Sequence, residues 1–202
     1  METGRRVKEG STNVYFNGNW QAIEERTGAN VVAVQYTWSA AYIDAMIARD
    51  RDTDNNGTLD QRLFVIQDAN WNVTALHDGT GTVLERFQYD TYGKRTVLTP
   101  TWTATTDAYA YQHGFAGGKQ DAVTGRVLFR AREYDVDLMR WTSMDSIGFQ
   151  AGDMNWYQYV GANPTGAVDP SGMDFLGIWK LASAMRICNS TQRCMFQRYK
   201  IP

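Results

Sequence analysis

The sequence predicts an all-β fold of stacked antiparallel hairpins, and three observations carry that expectation. Short runs of alternating apolar and polar residues are ended throughout by glycine, asparagine or aspartate. Seven Trp and 11 Tyr stand beside 18 Gly and only 4 Pro. Large flat side chains pack well on a pleated surface, and glycine supplies the positive φ of the turns between strands. A unit of a turn glycine, four or five alternating residues and a tyrosine also recurs, in GANVVAVQYTW at 28–38 and in GTVLERFQYDTYGKR at 81–95.

In chain order, NVYFNGNWQAIEERTGANVVAVQYTW holds three strands, around Val14–Phe16, Trp20–Glu25 and Val31–Trp38. Asn17-Gly18 and Thr27-Gly28 are their predicted turns, since Asn-Gly tolerates the positive φ of a type I′ hairpin. The stretch AAYIDAMIAR at 40–49 has the propensity for two or three helical turns but is read as strand, because tertiary context overrides propensity in so short a run. Further strands follow at Arg62–Gln67, Val73–His77, Val83–Tyr89 and Arg95–Leu98, with Asp78-Gly79-Thr80-Gly81 as a turn. Such units cannot bury their apolar faces alone, and a piece of a repeat array leaves an edge open.

Residues 174–202 change character. Phe175, Ile178, Trp179, Ala182, Met185 and Arg186 fall near helical spacing, which predicts a short amphipathic helix over Leu176–Cys188. Lys180, Arg186, Arg193, Arg198 and Lys200 against Asp174 give this tail +4, leaving −6 for residues 1–173 of a net −2. That change of sign marks a boundary. The balance as a whole gives no drive toward nucleic acid or anionic membrane. Cys188 and Cys194, both in the tail, cannot staple the body. No run approaches the ~20 apolar residues of a membrane span, and the start METGRRVKEG has no apolar run of an export signal. If it works outside a cell, it is expected to be a piece of something larger or to lack its start.

LFVIQDANWNVTALHDGTGTVLERFQYDTYGKRTVL resembles the tyrosine-aspartate (YD) repeats of the rearrangement hotspot (Rhs) family, with the core Tyr89-Asp90-Thr91-Tyr92-Gly93-Lys94-Arg95. GFAGGKQDAVTGRVLFRAREYDVDLMRWTSMDSIG, followed by NWYQYVGANPTGAVDPSGM, is similar to that family's repeat-associated core: Thr124-Gly125, Ala131-Arg132, Tyr134-Asp135, Arg140-Trp141, Asn155, Tyr157, Asn163-Pro164 and Asp169-Pro170-Ser171-Gly172 fall in order. The resemblance covers roughly residues 14–173. It implies a β-ribbon that spirals into a hollow shell, of which this chain would be the terminal piece. Residues 1–120 would be YD-repeat ribbon, 121–173 a closing plug and 174–202 a variable tail. The implied partners are the remainder of a shell or an encapsulated C-terminal cargo, at the cell surface or outside the cell; bacterial members carry variable toxins there, and animal relatives serve in adhesion.

The resemblance also implies a cleavage site. In self-cleaving relatives two aspartates of Asp-Pro-x-Gly tetrads are taken as catalytic, here Asp145 of DSIG and Asp169 of DPSG, and the scissile bond is Met173-Asp174. Two carboxylates held close cannot both ionise, so one stays an acid while the other activates water. Ser146 stands where the family usually has proline, Met139 where the upstream unit has glycine and Met173 where leucine is usual. The alternative is that both aspartates only cap turns, accepting backbone N–H groups two or three residues on.

Asp52, Asp54, Asn56, Thr58 and Asp60, with Gly57 at the sixth place, match the first nine places of a calcium loop, but Leu63 replaces the bidentate glutamate at the twelfth. Any affinity would be weak, the plainer reading is a polar hairpin loop, and no cofactor is expected. His77 and His113, the only histidines, lie far apart in sequence without an obvious cysteine or carboxylate cluster, which gives little support to a zinc site or a Ser-His-Asp triad. Trp156, Tyr157 and Tyr159 could stack on sugars or simply pack a core. The tail is shorter than the ~40 residues an independent fold needs, so no separate toxin enzyme is expected in it. Three readings stay open: a structural shell end, an intramolecular aspartic protease, and a surface adhesion or sugar-binding module.

Overall fold

The computed structural model describes residues 8–146, 148, 154–173 and 176–177. Nine strands form one antiparallel sheet whose spatial order is the chain order: β1 (Lys8–Glu9), β2 (Thr12–Phe16), β3 (Ala22–Arg26), β4 (Val32–Trp38), β5 (Met46–Arg51), β6 (Gln61–Gln67), β7 (Val73–His77), β8 (Val83–Tyr89) and β9 (Arg95–Leu98). Every pairing is a hairpin, as the alternating runs required. The last three strands are the predicted ones residue for residue. The stretch 40–49 divides: residues 40–45 are a loop and β5 begins at Met46.

The turns are built differently from the expected type I′ form. Among the described residues, Asn17, Thr27, Asp68, Asp78, Asp90 and Thr99 open six turns of one design. The first residue donates its N–H to the carbonyl four residues on and accepts the N–H three residues on. Its side-chain oxygen takes the N–H four residues on. The fourth residue is left-handed, and it is Trp20, Asn30, Trp71, Gly81, Gly93 or Trp102. Gly18 and Gly28, read as the φ-bearing residues, do not take that role. The design is a turn closed by a left-handed residue that bulges the following strand, and the register shifts between Tyr15 and Phe16 and between Ile66 and Gln67 follow from it.

One sheet face carries Val14, Tyr36, Met46, Leu63, Val73, Leu76 and Phe87 in a core with Tyr111. Tyr111 arrives on a segment without regular strand structure that crosses this face after β9. Its backbone groups are satisfied by side chains of the sheet. Buried Arg49 donates to the carbonyls of Tyr109 and Ala110 at 2.8 and 3.0 Å, and Arg95 to that of Tyr111 at 2.6 Å. Glu85 accepts the Ala108 N–H, and Asn72 accepts that of Ala116. A buried non-sheet segment requires such donors and acceptors, since an unmet backbone group costs about 1–3 kcal/mol.

The chain then forms a four-stranded sheet of β10 (Lys119–Gln120), β11 (Val127–Leu128), β12 (Glu133–Asp135) and β13 (Arg140–Trp141). A second core gathers Phe115, Phe129, Tyr134, Trp141, Tyr159 and Val168, with the rings of Tyr134 and Tyr159 4.5 Å apart. This body sits against one rim of the large sheet. Lys94 meets Asp137, the Tyr134 hydroxyl donates to the Tyr92 carbonyl at 2.9 Å, and Asn70 donates to the Pro164 carbonyl. Gly93 faces the Phe115 ring so closely that a Cβ there would stand 2.5 Å from it. The helix expected from Leu176 does not start there: β14 (Ala167–Val168) pairs with β15 (Leu176–Gly177). The rest of that helix, with Cys188 and Cys194, lies outside the described residues.

Candidate functional site

DSIG and DPSG are the same kind of turn. In each, the aspartate carbonyl accepts the N–H of the closing glycine, Gly148 or Gly172, and that glycine is left-handed. The two carboxylates nevertheless converge. Nη2 of Arg132 lies 3.0 Å from Oδ2 of Asp145 and 3.3 Å from Oδ2 of Asp169. All three side chains are nearly closed to solvent, at 7% exposure for Arg132, 8% for Asp145 and 3% for Asp169. Each aspartate thus opens a turn through its carbonyl while its carboxylate meets the same guanidinium.

Arg132 follows β11 on the turn into β12, where its guanidinium lies over the Trp141 ring at 4.2 Å. It also donates from Nε to the Gly172 carbonyl. The residues before it extend the same contact: Arg130 Nη1 donates to the Pro170 carbonyl, and the Ala131 N–H to the Ser171 carbonyl at 2.9 Å. Three successive residues, 130–132, thus hold three successive carbonyls, 170–172. The DPSG turn is laid along this segment in one register.

Asp169 Oδ1 accepts from the Ser171 hydroxyl at 2.9 Å and from the Met173 N–H at 3.2 Å. Burial pushes its carboxyl above the ordinary carboxylate range, against the opposing pull of Ser171, Arg132 and the Met173 N–H. Burial likewise lowers the Arg132 guanidinium against both carboxylates. Desolvation therefore works against both charged forms, and Asp169 keeps its proton to higher pH than a free aspartate. Met173, on the near side of the expected scissile bond, is tied to Asp169; Asp174 lies outside the described residues.

A second buried carboxylate lies beside this group. Asp44, in the loop between β4 and β5, makes a two-point contact with Arg130 at 2.7 and 3.3 Å, and burial raises its carboxyl. In sequence, Ala131-Arg132 stands out only as a motif pair, and neither Asp44 nor Arg130 carries a signal of its own. Arg132 was recoverable from that motif, whereas Asp44 is far from it in sequence.

The calcium-loop candidates are spent on the loop itself. Asp52 accepts the N–H groups of Asn56 and Gly57, Asp60 the N–H and hydroxyl of Thr53, and Asn56 the N–H of Thr58. Asp54 accepts the N–H and side-chain amide of Asn56. Among the described residues no three His, Cys, Asp or Glu side chains converge as a metal site. His77 stacks on Phe64, and His113 is buried against Tyr36 and Trp38. Tyr159 belongs to the second core, so the aromatic run is not one exposed platform; Tyr157 is half-buried and faces Arg140.

No family model matches the chain. It is similar to the tRNA3(Ser)-specific nuclease WapA of Bacillus spizizenii, with 28% identity over 85% of this chain and 7% of that protein. It is also similar to the tRNA(Glu)-specific nuclease WapA of Bacillus subtilis subsp. natto, with 31% identity over 55% of this chain and 5% of that protein. The chain spans less than a tenth of the length of these relatives. Among solved structures, the TcdB2-TccC3-Cdc42 complex matches with a TM-score of 0.55 and 16% identity over 87% of this chain and 11% of its counterpart. The TcdB2-TccC3 structure matches with a TM-score of 0.50 and 15% identity over 81% of this chain and 10% of its counterpart. At these identities the likeness concerns the fold, and this chain has the all-β fold of the matching part of the TcdB2-TccC3 structures.

Proposed function

We propose that this chain is the closing end of a β-ribbon shell of the Rhs/YD-repeat type, part of a polymorphic-toxin or cell-surface protein that encloses or presents a C-terminal polypeptide outside the cell. Residues 1–120 are hairpins of the ribbon, 121–173 the plug and 174–202 the variable C-terminal tail. The observation that carries this reading is the rim contact. The four-stranded body lies across the turns of the nine-stranded sheet through Tyr134 on Tyr92, Asn70 on Pro164 and Phe115 under Gly93. Similarity to short stretches of far longer proteins supports a part within a larger assembly. Among the described residues no helix is long and apolar enough to cross a membrane. Electron microscopy of the complete polypeptide carrying these residues tests the reading: a hollow particle with residues 121–173 at one end is expected, and a ribbon whose rim is left open contradicts it.

A second reading is favoured by the convergence of Asp145 and Asp169 on Arg132. In it the chain cuts itself between Met173 and Asp174. One carboxylate takes a proton from a water as that water adds to the Met173 carbonyl carbon. The other, with Asp169 suited to the acid role by its burial, protonates the Asp174 nitrogen as the C–N bond breaks. N-terminal sequencing of the released piece would begin at Asp174, and Asp169→Asn would release none. A piece starting elsewhere contradicts this reading and leaves the shell reading untouched.

A further inference from the structure

We infer that Asp44 and Arg130 are positioning residues that tie the DPSG segment to the rim of the ribbon, so that the carboxylate junction is held in register by the docking of ribbon and plug. The inference deepens the cleavage reading and rests on it for its kinetic consequence, while its geometric content is separate.

The loop at 39–45 departs from the common turn design and is held in place by other means. Gln21 donates to the Ile43 carbonyl at 2.8 Å, and Gln67 to that of Asp44 at 2.9 Å while accepting the Met46 N–H at 3.0 Å. Tyr42 stacks on Trp71 with ring centroids 4.3 Å apart. Gly117 makes room for the loop: a Cβ there would lie 2.5 Å from the Asp44 Cβ, and its φ of +73° is one a side chain rarely adopts. Two elements distant in sequence are thus shaped to bring one carboxylate into the plug.

There Asp44 meets only Arg130 as a charged partner in hydrogen-bond range among the described residues, with side-chain exposures of 6% and 18%. Arg130 is the first member of the 130–132 register that holds the carbonyls of 170–172, and its own contact is with Pro170 of the DPSG turn. A two-point carboxylate contact fixes the plane of a guanidinium as well as its charge. The same guanidinium that Asp44 orients therefore sets where Pro170 sits, one residue from Asp169 and three from Met173. An isolated buried pair is weak evidence for stability, since apolar residues of similar volume often do as well. A pair that binds a third element has a use that apolar replacement would not reproduce.

The test compares wild type with Asp44→Asn, Arg130→Gln and the reversed pair Asp44→Arg/Arg130→Asp, with Asp169→Asn as the uncleaved control. Two quantities are read on full-length chain, namely the rate at which the Asp174 fragment forms in folded protein and the exchange rates of the Ala131 and Met173 amides. Either single variant is expected to slow fragment formation at least tenfold and to speed exchange at both amides at least tenfold, with partial recovery in the reversed pair. Single variants that keep wild-type rates in both overturn the proposal, as do variants whose only change is a lower melting midpoint. If wild type forms no fragment, the cleavage reading fails by itself. The exchange measurement then decides the positioning claim alone: faster exchange in Asp44→Asn supports it and unchanged exchange overturns it.

Discussion

Trp71 stacks on Tyr42 with ring centroids 4.3 Å apart and planes 18° from parallel, although Trp71 occupies the left-handed position of its hairpin turn. A non-glycine residue there costs roughly 1–2 kcal/mol, so the stack must offset strain before it stabilises. Trp102 holds the same position in another turn but is 64% exposed, with Arg86 over its ring as its described aromatic contact. Trp71→Gly should therefore lower stability by about 2 kcal/mol despite relieving the backbone, and Trp102→Gly should leave it unchanged or raise it by up to about 1 kcal/mol. Urea unfolding midpoints of the two variants check this, and equal effects would remove the stack as the reason for Trp71.

Met139 closes the turn that follows Tyr134-Asp135, at φ 57° and half exposed, where Asp135 accepts the N–H groups of Asp137 and Leu138. Met139→Gly should stabilise the fold by about 1 kcal/mol, since no core contact offsets its left-handed backbone. Gly93→Ala is the opposite case. Strain and the 2.5 Å approach to Phe115 act together there, and a loss of about 3 kcal/mol or more is expected. Thermal unfolding of both variants reads the two signs.

His113 lies between Tyr36 and Trp38, and burial, with Lys119, Arg49 and Arg130 nearby, pushes its imidazole down to about 3. Below pH 6.5 the unfolded chain takes up a proton there that the folded chain refuses. Stability from this site is thus present above about pH 6.5 and is lost as pH falls toward 3, by about 1.4 kcal/mol per unit. Asp44 and Asp169, both raised, act in the opposite sense: the folded chain holds their protons above the ordinary carboxylate range, so their share is lost as pH rises through the raised values. His113→Phe should flatten the loss of stability between pH 6 and 4 relative to wild type, and parallel pH profiles would show that His113 titrates freely.

The strands were legible because hairpin pairing is local: Val73–His77, Val83–Tyr89 and Arg95–Leu98 each carry their own alternation and their own turn residues. The left-handed residues were not. Gly18 and Gly28 drew attention because glycine usually takes that conformation, while the side chains of Asn17 and Thr27 moved the turn two residues on, to Trp20 and Asn30. Asp145 and Asp169 could be paired only through the resemblance, since nothing local says that two turns so far apart meet on one guanidinium. Arg49 and Asp44 escaped notice for a related reason. Each lies in ordinary-looking sequence, and each acts on a segment more than fifty residues away, Arg49 on the carbonyl of Ala110 and Asp44 on Arg130.

Self-cleavage at the junction of Asp145, Arg132 and Asp169 is tested most directly by the intact mass of purified, folded wild-type protein followed over time. The expected result is loss of the full-length mass and appearance of a product ending at Met173, with Asp169→Asn remaining at full length. A wild-type chain that stays at its full-length mass while folded would contradict it.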